Sequence, residues 1–421
     1  VQDYSILFSA AFAAALALGA ALKLWLASRQ IHHVARHRDT VPPDFVGTVG
    51  EAAHHKAADY TITKARAGLL EVALSTAVVL GWTLLGGLHV LNQALLAWLG
   101  PGMVQQLALL VSFALVGSLI EWPLGLYQTF VIEQRFGFNK MTWRLWLMDS
   151  LKGAVLGLLI GLPLAALVLW LMAAAGSLWW LWAWGVWTGF NLLLLLIYPS
   201  LIAPLFNRFE PLADETLTTR VNALMQRCGF QAKGLFVMDG SKRSGHANAY
   251  FTGFGASKRV VFFDTLLQRL QPGEVDAVLA HELGHFKHRH VIKRMLRLFA
   301  ISLGGFALLG WLSTQVWFYT GLGVQPDLRA GAPNDALALL LLLLALPALS
   351  FFFTPLWAHG SRRDEFQADA YAVSHANGPD LRSALLKLYE DNASTLTPDP
   401  LFARFYYSHP PAVERLARLP R

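Results

Sequence analysis

The sequence predicts a mainly α, polytopic membrane protein with seven transmembrane helices and one cytoplasmic domain of mixed helices and strands. Three observations predict it. Only 14% of the 421 residues are charged, against about 25% in soluble domains. The deficit is concentrated in long uncharged segments, enough for seven spans of roughly 20 residues across about 30 Å of hydrocarbon. Lys and Arg collect in alternate loops, which marks one side of the membrane as cytoplasmic.

The spans follow in order. The first is Ile6–Leu22, extended by Leu24–Ala27. It lacks a basic leader, and Lys23 and Arg29 follow its apolar run, so it reads as an uncleaved anchor. The second falls within Val72–Leu99 and the third within Met103–Ile120. Gly153–Asn207 has no charged residue and holds the fourth and fifth, with a break near Ala175–Ser177. The sixth lies in Leu298–Val324 and the seventh in Ala336–Ala358. Pro163, Pro199, Pro204, Pro347 and Pro355 interrupt these segments as local kinks, tolerable where neighbours or water satisfy the backbone.

Basic residues occupy Lys23–Arg66, Arg135–Lys152, Arg208–Arg297 and Arg362–Arg421, with Arg329 the sole exception. With seven spans these regions share one side. The N-terminus is then outside, and the C-terminus and soluble pieces are cytoplasmic. The chain divides into a five-span membrane domain (1–207), a first soluble piece (208–297), a transmembrane hairpin (298–359) and a second soluble piece (360–421). The two soluble pieces are together large enough for one domain. The net charge of +7 fits basic cytoplasmic loops, and no nucleic-acid partner is expected. The single cysteine, Cys228, excludes an intrachain disulfide framework and reads as a small buried hydrophobe.

In the first soluble piece a helix is expected near Thr216–Cys228 and a strand near Leu235–Met238. Ala247–Phe254 and Arg259–Asp264 read as two strands joined by a glycine-containing turn. Pro272 and Gly273 start the helix that carries "AHELGHFKHRH". On a helix, positions i and i+4 share a face, so His281 and His285 direct two imidazoles at one metal ion. Glu282 sits about 100° round the helix, within reach of a water there without ligating the metal. Such a pattern arises by chance in about one chain in a hundred of this composition. The alternative is a His-rich helix end at the membrane interface, which fits His288 and His290.

A catalytic zinc needs a third protein ligand and an open position. "SRRDEFQADAYA" (Ser361–Ala372) offers Glu365 and, one turn on, Asp369, which can fix the tautomer of a ligand imidazole. His359 and His409 are alternative third ligands. An ordinary salt-bridged helix start, with Arg362 and Arg363 as partners, is the plain alternative.

With these residues in view, the sequence resembles the type I CAAX prenyl proteases, integral-membrane zinc metalloendopeptidases of the gluzincin group. "HELGHFKHRH" and "SRRDEFQADAYA" match that family's zinc motifs, and "HANAYFTGF" its active-site strand. "YQTFVIEQRFGFNK" resembles its loop between the third and fourth spans, and "YYSHPPAVERL" its C-terminal motif. The first hundred or so residues match more loosely, through "RHRDTVPPDF" and "DYTITK". The resemblance implies a seven-helix barrel around a water-filled chamber, capped by a zincin-type α+β metallopeptidase domain. Such a chamber would account for the intramembrane acids Glu121 and Glu133.

The resemblance also implies one Zn2+ per chain held by His281, His285 and Glu365, with Glu282 as general base and Asp369 behind the ligands. It makes His409 and Arg415 candidates to stabilise the oxyanion and Asn248 a holder of the substrate backbone, and leaves His246 without a role. The implied substrate is the C-terminal tail of an isoprenylated CAAX protein, cut at the cytoplasmic face of the bilayer. The alternatives are a quality-control protease with non-prenylated peptide or protein substrates, a zinc-dependent transporter, and a protein whose zinc is structural.

Overall fold

The computed structural model describes residues 2–230, 234–252, 259–329 and 333–420. Among these, seven helices are long and apolar enough to cross a membrane: Asp3–Arg36, Glu51–Trp82, Met103–Glu133, Trp143–Ala174, Gly176–Phe206, His290–Leu312 and Asp335–His375. In the first six, no more than 17% of the most apolar window is buried. The helices therefore stand in a single layer, one face toward lipid and the other toward an interior space. A compact apolar cluster closes one end of that layer. It unites Phe12, Leu88, Leu109, Leu169, Leu309, Phe318 and Leu341, which all lie at or near span ends remote from the soluble domain.

The second span differs from its expected position. Its helix begins at Glu51 and ends at Trp82, and Gly87–Leu99 forms a separate helix packed into the closing cluster. The apolar run is continuous in sequence, but Gly86 adopts φ +79° and turns the chain. A Cβ on Gly87 would lie 2.6 Å from the carbonyl oxygen of Gly81, so the turn also needs glycine there. The 32-residue helix Glu51–Trp82 is about 48 Å long, well over the hydrocarbon thickness. Its excess holds the buried residues His54, Ala57, Ala58, Tyr60 and Ile62 and stands against the soluble domain. The stretch beginning at Tyr127 is likewise no simple loop. The third span continues through a π-helical segment, Gln128–Glu133, and the chain turns only at Gly137, φ +81°.

The soluble domain carries a four-stranded sheet ordered β1 (Phe209–Pro211), β2 (Gly234–Met238), β4 (Arg259–Phe263), β3 (Ala249–Thr252). β2 and β4 are parallel, and the outer strands run antiparallel to their neighbours. β3 is therefore an edge strand. Gly253 and Phe254, expected to extend it, lie outside the described residues. The helix Glu215–Arg227 is capped by Asp214, whose carboxylate accepts from Leu217 N at 2.9 Å. Sheet and helices share one core in which Val221, Phe262, Leu279 and Leu283 meet Ala372, Leu381 and Leu416. That core joins segments on both sides of the last two spans. Arg243 ties the domain to the membrane helices through Asp149 at 2.9 Å and Asn207 at 3.0 Å.

Candidate metal centre

The helix Pro272–Lys287 starts at Pro272 with a reciprocal Gln271–Glu274 capping box. Glu274 is buried and accepts from Lys387 Nζ (2.7 Å) and Ser383 Oγ (2.6 Å), which locks the helix start to the last third of the chain. Val275, Ala277, Leu279, Ala280 and Leu283 anchor it in the core. The helix Thr354–His375 crosses it at Gly284. A Cβ there would lie 2.9 Å from Cα of Ala368, so only glycine permits this approach. The crossing places Glu365 between the two imidazoles.

His281 Nε2 lies 3.4 Å from Glu365 Oε2, and His285 Nε2 lies 3.4 Å from Glu365 Oε1. The three ligand-type atoms all fall within 4.8 Å of one another. Glu365 Oε2 is buried and accepts no hydrogen bond among the described residues, although Arg415 Nη2 stands 3.8 Å away. A buried carboxylate oxygen without a donor is costly unless a cation completes it. Two imidazole nitrogens and one carboxylate oxygen form a borderline donor set that suits a divalent transition metal, so the residues present fit a metal ion. His359 is not part of the group. His409 Nε2 lies 3.5 Å from Glu365 Oε1, but its side chain is 65% exposed and it too is outside the group.

Each imidazole is held from behind. His281 Nδ1–H donates to Asp369 Oδ1 at 2.8 Å, leaving Nε2 as a lone pair facing Glu365. Arg415 fixes Asp369 in turn, donating from Nε to Oδ2 and from Nη2 to Oδ1, each at 2.7 Å. The carboxylate pair raises the Arg415 pKa against the opposing effect of burial. At the other imidazole, His285 Nδ1 lies 2.9 Å from His290 Nδ1, and His290 Nε2 lies 3.0 Å from Gln367 Oε1. Gln367 Oε1 can only accept, so His290 carries its proton on Nε2 and accepts from His285 Nδ1–H. Both candidate ligand imidazoles are thereby set in the same tautomer.

His290 corrects an expectation. It is not an interfacial side chain but is 1% exposed, because the helix breaks at Arg289 (φ 56°) and turns His290 back toward His285. His288 stacks on His290 at 5.5 Å and takes no ligand position. His290→Ala is expected to weaken metal binding by about 10- to 100-fold. Chelator-competition titration of the purified protein measures this.

Glu282 lines a cavity of ≈ 1060 Å³ together with His281, Glu365, Asn248, His409 and Arg415. Burial pushes its carboxyl above the ordinary range, against the pull of His281 and His285. Asn248 is exposed to the cavity at the start of β3, and its Oδ1 accepts from Ala249 N at 2.8 Å. Arg362 holds the loop carrying His409, donating to the carbonyls of Ala403 (3.2 Å), Arg404 (3.1 Å) and Tyr407 (2.7 Å).

His246 also has a place. Its ring stacks on Phe138 at 4.2 Å, and its Nε2 lies 3.5 Å from Glu133, which accepts from Tyr60 Oη at 2.6 Å. This ties the segment before Asn248 to the second and third spans. Glu133 is thus partnered, whereas Glu121 is exposed and does not line the cavity. The cavity continues between the first two spans to Lys23 and Ser75.

A helix bearing His-Glu-x-x-His, crossed by a carboxylate-bearing helix above a membrane chamber, defines an integral-membrane metallopeptidase. A family profile described as peptidase family M48 matches residues 211–421, and one described as the CAAX prenyl protease N-terminal region with five membrane helices matches residues 30–208. The chain is 35% identical over 390 residues to CAAX prenyl protease 1 homolog of Arabidopsis thaliana, covering 90% of this chain and 89% of that one. It is 35% identical over 329 residues to CAAX prenyl protease 1 of Saccharomyces cerevisiae, covering 75% and 72%. The crystal structure of S. mikatae Ste24p matches with a TM-score of 0.91 at 30% identity, over 97% of this chain and 98% of that one.

The chain belongs to peptidase family M48. It is a multi-pass membrane endopeptidase that uses a metal and acts on peptide or protein substrates, as its motifs led us to expect. The names of its relatives do not favour the quality-control reading.

Proposed function

We propose that the protein is a zinc endopeptidase that cuts the C-terminal tail of isoprenylated CAAX proteins at the cytoplasmic face of the bilayer. The observation that carries this is the continuity of the cavity. It runs from Glu282 and Glu365 to the inner faces of the first two spans at Lys23 and Ser75. A peptide attached to an apolar chain can therefore occupy the site while the chain stays beside membrane helices, and each buried methylene contributes about 0.8 kcal/mol.

His281, His285 and Glu365 hold one zinc ion, aligned by Asp369 and His290. When bound, the ion supplies Lewis-acid chemistry that polarises the scissile carbonyl and acidifies water. Glu282 takes the proton of the attacking water and passes it to the leaving amine, a task suited to a carboxyl with a raised pKa. His409 faces the cavity beside Glu365 and donates to the oxyanion, and Arg415 adds positive charge behind it while orienting Asp369. The free edge of β3 accepts the substrate as an added strand, with Asn248 at its end.

The basic loops support an outside N-terminus and a cytoplasmic C-terminus. The chain is organised as a membrane domain (1–207) and a peptidase domain in two parts (208–297 and 360–421) around a transmembrane hairpin (298–359). In lipid nanodiscs, a farnesylated CAAX peptide should be cut at least about tenfold more efficiently than the same peptide without its lipid. Equal cleavage of the two, read by mass spectrometry, would contradict the substrate assignment.

A further inference from the structure

Resting on the substrate class proposed above, we infer that Lys23 is the counter-ion for the free α-carboxylate at the end of the substrate's tail. Among the described residues, three Lys and Arg side chains line the cavity: Lys23, Lys64 and Arg415. Arg415 is committed to Asp369 at 2.7 Å. Lys64 lies 3.2 Å from Tyr60 Oη and 3.6 Å from Glu133. Lys23 differs from both. Its ammonium lies 4.8 Å from the centre of the Phe351 ring. No carboxylate of the described residues comes within ion-pair distance of it. Glu71 lines the same cavity from the second span without pairing to it.

A peptide cut close to its end brings a carboxylate into the chamber with it. Withdrawing that charge from water is costly unless a cation meets it. Among the described cavity cations Lys23 is the one without a carboxylate partner, and Phe351 holds its ammonium against one wall.

Lys23 and the metal site also open on the same chamber. Gln30 stands on the same helix face, seven residues after Lys23. It donates to Tyr407 Oη at 3.4 Å and accepts from Asp399 N at 2.7 Å. Tyr407 is two residues before His409, whose Nε2 lies 3.5 Å from the metal-site carboxylate Glu365. Seven helical residues put Lys23 roughly 10 Å along the first helix from Gln30. Lys23, His409, Glu282 and Glu365 all line one continuous cavity, so a tail bound at the metal site can enter the part of the chamber that Lys23 faces.

The test uses the full-length protein in nanodiscs and a farnesylated CAAX peptide made with either a free C-terminal acid or a carboxamide. Wild type should show a KM about tenfold lower or more for the acid. Lys23→Met should raise KM for the acid by about that factor, with kcat nearly unchanged and the amide cut as before. Amide cleavage then serves as the control for folding. Glu71→Gln, which removes a repelling charge, should lower KM for the acid. If Lys23→Met alters acid and amide alike, or neither, the inference is overturned while the substrate assignment stands. If wild type cuts neither peptide, the substrate assignment falls and the inference with it.

Discussion

Glu282→Gln is expected to abolish hydrolysis while the metal stays bound. The side chain projects into the cavity beside His281, and no ligand position depends on it. The amide keeps the shape and loses the basic oxygen. General acid–base catalysis by one group accounts for about 10²- to 10⁴-fold in rate, or roughly 3–5 kcal/mol. Mass-spectrometric turnover and elemental analysis of the same preparation measure both halves. A variant with normal metal content and near-normal turnover would remove Glu282 from the mechanism.

Glu365→Ala is expected to cost the metal itself, and activity with it. This carboxylate has three imidazoles within 3.5 Å, those of His281, His285 and His409. Among the described residues its Oε2 accepts no hydrogen bond, and Arg415 Nη2 stands 3.8 Å from it. Truncation leaves two imidazoles as the ligand set, too few for a stable site. Elemental analysis should show the metal-to-protein ratio falling from about one toward zero. Retention of stoichiometric metal would instead point to His409 or His359 as the third ligand.

The spans, and the residues that the structure brings together at the candidate metal centre, were legible in the sequence because each rests on a simple rule. Uncharged length reports a membrane crossing, and an i, i+4 pair of histidines reports one helix face. Pairing Glu365 with histidines 80 residues away followed from the need for a third ligand and from the family resemblance. The crossing itself depends on Gly284 meeting Ala368, a contact between distant segments that no local pattern announces.

What escaped the sequence depends on backbone turns and tertiary contacts. Hydropathy continues past Trp82, so the sequence places the second span within Val72–Leu99. The left-handed turn at Gly86 ends it, and "LGG" was the available signal. His290 lies among basic residues and resembles an interfacial side chain. A positive φ at Arg289, a residue that does not favour it, turns His290 inward. His246 acquires its place through Phe138, Glu133 and Asn392, each more than a hundred residues away.

The central claim is that two histidines and one glutamate, brought from either side of a transmembrane hairpin, hold a single catalytic zinc ion. Zinc K-edge X-ray absorption on the purified protein tests it most directly. The account predicts about one zinc per chain, a first shell of nitrogen and oxygen near 2.0–2.1 Å with two imidazoles, and an unchanged spectrum in Glu282→Gln. Absence of stoichiometric zinc, or a shell closed by four protein ligands, would contradict it.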